Sequence, residues 1–269
     1  MRQTLPPLYP IVLALLSLCL GGSLLLNGYL YRRLHSTYLQ RQRLSLDPLG
    51  LSAYPTLAPL DIQADLVPQS PRSRPVVILG DSRAQSWSLE LNAPVAVINR
   101  GINSQTTAQV LGRTHAHLAE LQPQVVVLQV GINDLKLIPL FPDQETVIIQ
   151  RCQYNLLQIV KEIQDLGATV VITTLFPLGD VPWERKPYWS DQVNRAVEQV
   201  NTFIRGLETS PIQNRNSSQI RVLDTVPLLG QADSLTIWSQ YSEDLLHLNE
   251  AGYDRLNQAL EPLLETMID

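Results

Sequence analysis

Beyond residue 75 the chain alternates between two hydrophobic rhythms. Short β-branched runs at Val76–Leu79, Val95–Ile98, Val125–Val130, Thr169–Thr174 and Ile220–Leu223 predict five strands. Three of them are near-continuous Val, Ile and Leu, as expected of strands buried on both faces. Between them the apolar positions recur at helical spacing. Thr106–Leu121 carries Val110, Leu111, Leu118 and Leu121 on one face. Thr146–Leu166 carries Ile148, Ile149, Cys152, Leu156, Ile159, Val160 and Ile163, and stops at Gly167, a natural residue to follow a helix end. Asp191–Leu207 carries Val193, Ala196, Val197, Val200 and Ile204 behind Ser190 as N-cap, and Asn249–Met267 closes the chain. Strand–helix alternation of this kind predicts a parallel sheet with helices on both faces.

The first part of the chain follows a different pattern. No charged side chain occurs from Gln3 to Tyr31. As a helix, the Leu-rich stretch Tyr9–Tyr31 would span roughly 34 Å, enough to cross a bilayer core, with Tyr9, Tyr29 and Tyr31 near its ends as interfacial aromatics. A cleaved signal peptide ending near Gly21-Gly22-Ser23 is the alternative. Leu24, Leu25 and Leu26 beyond that step, and a leading segment whose only charge is Arg2, favour a retained anchor. A lipid attachment at Cys19 fits less well, because Leu18 stands where a small residue is needed. Pro48, Pro55, Pro59, Pro68, Pro71 and Pro75 then mark a linker or strap. The expected organisation is an anchor over 1–33, a Pro-rich linker over 34–74 and an α/β domain over 75–269.

Composition narrows the function. With 45% hydrophobic and 17% charged residues, the 269-residue chain reads as ordered and globular. Residues 1–60 hold five Arg and one acid, so the rest carries 15 basic against 24 acidic side chains. A net of −9 there makes nucleic-acid binding unfavourable. Cys19 and Cys152 lie in an apolar run and on an apolar helix face, and suit packing rather than a disulfide. No Cys/His cluster suggests a metal or cofactor.

In a parallel sheet of this kind the chemistry belongs at the carboxyl ends of the strands. The first strand ends in Gly80-Asp81-Ser82-Arg83, which puts a Ser hydroxyl and free helix N–H groups at the crevice. The second ends in Asn99-Arg100-Gly101, where Gly101 allows close backbone approach. The third ends in Gly131-Ile132-Asn133-Asp134, where the Asn133 amide suits an oxyanion. Near the C-terminus, Asp244 precedes His247 by three residues. That spacing can bring the carboxylate onto Nδ1 and leave Nε2 free to take a proton. His115 and His117, off the centre of a helix's apolar face, read as solvated. Taken singly, each fragment also reads as an ordinary cap or turn.

Together, and in this order, the four blocks resemble the SGNH (GDSL-type) hydrolases, from about Pro75 to the C-terminus. Asn99-Arg100-Gly101 and His247-Leu248-Asn249-Glu250-Ala251-Gly252-Tyr253 add to the likeness. The resemblance implies a flavodoxin-like, three-layer α/β/α sandwich on five parallel strands. It implies a serine esterase with Ser82 as nucleophile, His247 as base and Asp244 as its partner. The oxyanion hole would be the Ser82 and Gly101 N–H groups and the Asn133 amide. Arg83 replaces a common Ile or Leu, and Ser104 a common Gly, which bears on substrate preference. The α/β-hydrolase elbow is disfavoured, because there the acid usually lies far from the His in sequence.

The expected substrates are short acyl esters, acetyl included, of carbohydrate or lipid. Asp81, Arg83 and the aromatics Trp183 and Trp189 of a long Phe176–Ser190 insert are candidate substrate contacts; the insert could equally be a packed loop. An O-acyltransferase on a cell-surface polysaccharide and a membrane-tethered binding module are the competing classes. Arg32, Arg33, Arg41 and Arg43 after the span favour a cytoplasmic domain by the positive-inside rule, whereas tethered members of the resembled family more often face outward.

Overall fold

The computed structural model describes residues 8–46, 74–91, 94–183, 185–186, 189–210, 219–231 and 236–268. The chain divides into two units, Met1–Leu44 and Ser45–Asp269. The first is built on helix α1 (Leu8–Leu46). From Tyr9 to Tyr38 its apolar side chains are exposed, and it is long and apolar enough to cross a membrane. The helix outruns the apolar stretch, because Leu, Gln and Arg are good helix formers and neither Gly nor Pro interrupts the chain between Tyr29 and Leu46. The segment 34–46, expected as linker, is therefore helical, and the Pro-rich stretch 47–73 lies outside the described residues.

The second unit is a parallel sheet of β1 (Val76–Gly80), β2 (Val97–Gly101), β3 (Val125–Gln129), β4 (Thr169–Thr173) and β5 (Ile220–Leu223), in the order β2-β1-β3-β4-β5. This is the α/β architecture expected from the alternation. The central strands β1 and β3 are buried at every position, as their unbroken apolar runs demand. The second strand starts at Val97 rather than Val95. Its register sets Val97 opposite Val76 and Gly101 opposite Gly80.

Helices α2 (Ser82–Gln85), α3 (Thr107–Leu118), α4 (Ile132–Leu135), α5 (Glu145–Asp165), α6 (Asp191–Leu207), α7 (Val226–Leu229) and α8 (Glu250–Glu265) complete the unit. On one sheet face Val76, Ile78, Val125, Val127 and Val171 share a core with Trp87, Phe176, and Tyr253, Leu256, Leu260 and Leu264 of α8. The alternate positions Val77, Leu79, Val126, Leu128 and Val170 are buried on the other face, where α3, α5 and α6 pack together. Three layers result.

In this strand order the connections leaving β1 and β3 run to opposite sides, which opens a crevice at their carboxyl ends. The two strands end in very close contact there. A Cβ on Gly80 would lie 1.8 Å from the Gln129 carbonyl oxygen and 2.7 Å from its carbon. Only glycine lets the chain turn at this point into α2. Gly80→Ala is expected to cost more than about 4 kcal/mol, or to abolish folding, because the clash is with backbone that cannot step aside. Thermal unfolding followed by circular dichroism measures the loss.

Candidate active site

The turn after β1 is held from both sides. Asp81 is fully buried and caps α2, its carboxylate accepting the Arg83 N–H at 2.9 Å. Burial pushes its carboxyl above the ordinary value, against the pull of the Arg83 charge and the Arg83 N–H. Ser82, the first residue of α2, is thereby aimed across the crevice, and its Oγ lies 3.0 Å from Nε2 of His247.

His247 sits in the loop before α8, and Asp244 organises that loop. The Asp244 carboxylate accepts the N–H groups of Leu246 (2.7 Å) and His247 (2.8 Å), and both its oxygens lie 3.0 Å from Nδ1 of His247. Burial alone would raise the Asp244 carboxyl. The His247 ring and the two N–H groups outweigh it and hold the group below its ordinary value. The carboxylate therefore stays charged, which places the imidazole proton on Nδ1 and leaves the Nε2 lone pair facing the serine hydroxyl. The Gly179 N–H donates to the Leu245 carbonyl at 2.9 Å, and the Ser242 hydroxyl to the Asp244 carbonyl at 2.8 Å, fixing the loop further.

Asn133 lies in the first turn of α4, behind Gly131, with 3% of its surface exposed. One of its amide hydrogens goes to the Gln105 carbonyl at 2.9 Å, and the second has no partner among the described residues. The neighbouring Asp134 accepts the N–H (2.9 Å) and hydroxyl (2.6 Å) of Thr107. Burial pushes the Asp134 carboxyl up to about 7 against those two bonds. These contacts tie α4 to the start of α3.

Gly101 does not take the place expected of it. Its N–H donates to the Asn99 side-chain oxygen at 2.8 Å, and a Cβ there would lie 2.1 Å from the Gln85 nitrogen. It is a packing glycine against α2 rather than a donor turned to Ser82. The sequence reading missed what Asn99 does: its amide donates to the carbonyls of Ala84 (2.9 Å), Gln85 (3.2 Å) and Trp87 (3.0 Å), capping the end of the turn that carries Ser82. Three residues on, Ser104 takes a left-handed φ of 63°, a conformation that favours glycine.

A family model for the GDSL-like lipase/acylhydrolase family matches residues 78–255, which takes in the serine turn, the Asn133 block and the His247 loop. The chain belongs to that family. It is therefore an ester hydrolase by descent. Solved structures agree on the fold. A GDSL-like lipase from Bacteroides thetaiotaomicron is 19% identical, with a TM-score of 0.56 over 72% of this chain and 88% of the other. A protein from Bacteroides fragilis, provisionally described as an acylhydrolase, is 19% identical, with a TM-score of 0.57 over 78% and 98% of the two chains. No curated protein matches the chain significantly in sequence.

The other candidate contacts of this GDSL-family enzyme differ widely in exposure. Asp81 and Arg83 are both 0% exposed and lie beneath the crevice, out of reach of substrate. Trp183 is 78% exposed and Trp189 half-buried, and neither makes a ring contact among the described residues. The start of the insert is packed, with Phe176 and Leu178 buried and the Leu178 carbonyl accepting the Ile237 N–H at 2.9 Å. A groove of about 960 Å³ runs beside the His247 loop, lined by Glu243, Leu248 and Tyr253 and by the acids Glu90, Glu250 and Glu261. Neither Ser82 nor His247 lines it.

His117 corrects another expectation. His115 is exposed, but His117 is 8% exposed, with Nδ1 3.3 Å from Nη1 of Arg113. That guanidinium also donates to the Gln105 side chain (2.6 Å) and the Gly80 carbonyl (2.9 Å), linking β1 to the loop that carries Ser104. The helix turns farther toward the sheet than its apolar stripe suggested. Burial, then the charges of Arg113 and Arg100, lower the His117 ring from 6.5 to about 4. Below 6.5 the unfolded chain takes up a proton that the folded chain refuses until about pH 4. The stability His117 contributes is thus complete above 6.5 and lost as pH falls toward 4. The melting temperature should drop between about pH 7 and about pH 4.5, and less steeply in His117→Gln, which has no proton to take up. Parallel thermal melts of the two proteins across that range measure the difference.

Proposed function

We propose that the chain is a membrane-tethered serine esterase that removes short acyl groups, acetyl foremost, from carbohydrate or lipid esters. Support comes from one chain of contacts, Ser82 Oγ to His247 Nε2 at 3.0 Å and His247 Nδ1 to Asp244 at 3.0 Å. In this reading Nε2 takes the Ser82 proton as Oγ attacks the ester carbonyl, and a tetrahedral intermediate forms. Asp244 steadies the imidazolium. The oxyanion is received by the Ser82 N–H, which has no partner among the described residues, and by the Asn133 amide hydrogen not used by Gln105. The imidazolium then protonates the leaving alcohol, and a water molecule, deprotonated by His247, releases the acid and restores Ser82.

The apolar part of α1 anchors this enzyme, and the catalytic domain faces out of the cytoplasm, against the bias of the four Arg that follow the span. Protease added to intact cells should digest the domain; protection until lysis would reverse the assignment.

The chemistry is tested on the full chain in detergent with p-nitrophenyl acetate. Ser82→Ala should lower kcat at least about 10³-fold and abolish labelling by a fluorophosphonate. Asn133→Ala should cost roughly 10²–10³ in kcat with little change in KM, as for other lost oxyanion donors. Full turnover by Ser82→Ala would remove the nucleophile from the scheme. A panel of acetylated sugars and esters of growing acyl length then defines the acyl and alcohol preference.

A further inference from the structure

Arg83 is the residue this architecture explains least well as a surface or substrate group. It follows the nucleophile directly in the chain, yet its side chain is completely buried, where an arginine is costly to place. Its Nε donates to the Leu246 carbonyl at 2.7 Å, and Leu246 directly precedes His247. Its guanidinium carbon lies 5.1 Å from the centre of the Phe176 ring. Its main chain is held as well, the N–H by Asp81 at 2.9 Å and the carbonyl by the Tyr253 hydroxyl at 2.9 Å.

We propose that Arg83 is a positioning residue, whose Nε–Leu246 bond ties the base loop to the nucleophile turn and so sets the Ser82–His247 distance. The proposal rests on the reading of Ser82 and His247 as nucleophile and base. The tie closes a ring: Ser82 to Arg83 through the backbone, Arg83 to Leu246 through its side chain, Leu246 to His247 through the backbone, and His247 back to Ser82 Oγ. The internal bonds of Asp244 shape the loop but do not join it to α2. Arg83 does join it; the Phe176 ring beside the guanidinium limits the arm, and the Tyr253 hydroxyl holds the main chain from which the arm springs.

Atom positions make the test specific. In Arg83→Gln the side-chain amide nitrogen stands where Nε was, so the donor survives without the charge. In Arg83→Lys the charge survives, but a carbon stands at that place. Arg83→Met keeps the length with neither. Turnover of p-nitrophenyl acetate by the full chain is measured for all three, with circular dichroism as the check on folding and Ser82→Ala alongside. The lysine and methionine variants should lose roughly 10–100-fold in kcat, with KM within about threefold and fluorophosphonate labelling slowed in parallel, while the glutamine variant recovers most of the loss. A lysine variant as active as the glutamine variant, a methionine variant with normal kcat, or a change confined to KM would overturn the tie and leave the serine mechanism standing. An active Ser82→Ala would overturn the mechanism itself, and the tie with it. If the lysine variant does not fold, the glutamine–methionine pair decides alone, since only the first retains a donor.

Discussion

A hydroxyl and an imidazole separated by 165 positions in the chain meet at 3.0 Å, and the remaining structure can be read as the means of keeping them there. The hydroxyl side depends on the sheet. Gly80 lets β1 finish flush against the Gln129 carbonyl, Asp81 caps the single turn that follows, and Asn99 closes its far end with three bonds. The imidazole side depends on a carboxylate. Asp244 folds its own loop by accepting two backbone N–H groups within three residues, and the same oxygens fix the ring.

Charge is buried around the site in a way that a purely structural core would avoid. Asp81, Arg83, Arg113 and Asp134 are all shielded from solvent beneath or beside the crevice. Burial pushes the carboxyls of Asp81 and Asp134 up and the guanidinium of Arg113 down, so each is held against its own desolvation by directed hydrogen bonds. Those bonds run between the segments around the crevice: Asp134 to the start of α3, Arg113 to Gly80 and to the loop with Ser104, Arg83 to the loop carrying His247. Buried polar networks of this kind confer geometric definition more than stability.

The elements that could be read in advance share one property: their signal is local. Five strands and the long helices follow from runs and stripes within about twenty residues, and the four sequence blocks lie at the predicted element ends. The failures also share a cause. His117 seemed solvated because the helical stripe does not tell how far α3 is rolled against its neighbours. Gly101 seemed a donor because the amide of Asn99, two residues away, cannot be seen to claim its N–H until β2 and α2 are packed. The stretch 34–46 seemed a linker because prolines further on drew attention from its helix-forming composition.

The sequence alone determined the class of fold, the family, the turn that carries Ser82, the Asp244–His247 spacing and the apolar first helix, because each is written within a few neighbouring residues or one periodic stretch. Tertiary structure decided which N–H groups are already spent, which charged side chains are buried, and that the Arg83 side chain reaches the loop carrying His247. Those outcomes depend on segments more than a hundred residues apart being brought into contact, and no local pattern encodes the separation of Arg83 from Leu246.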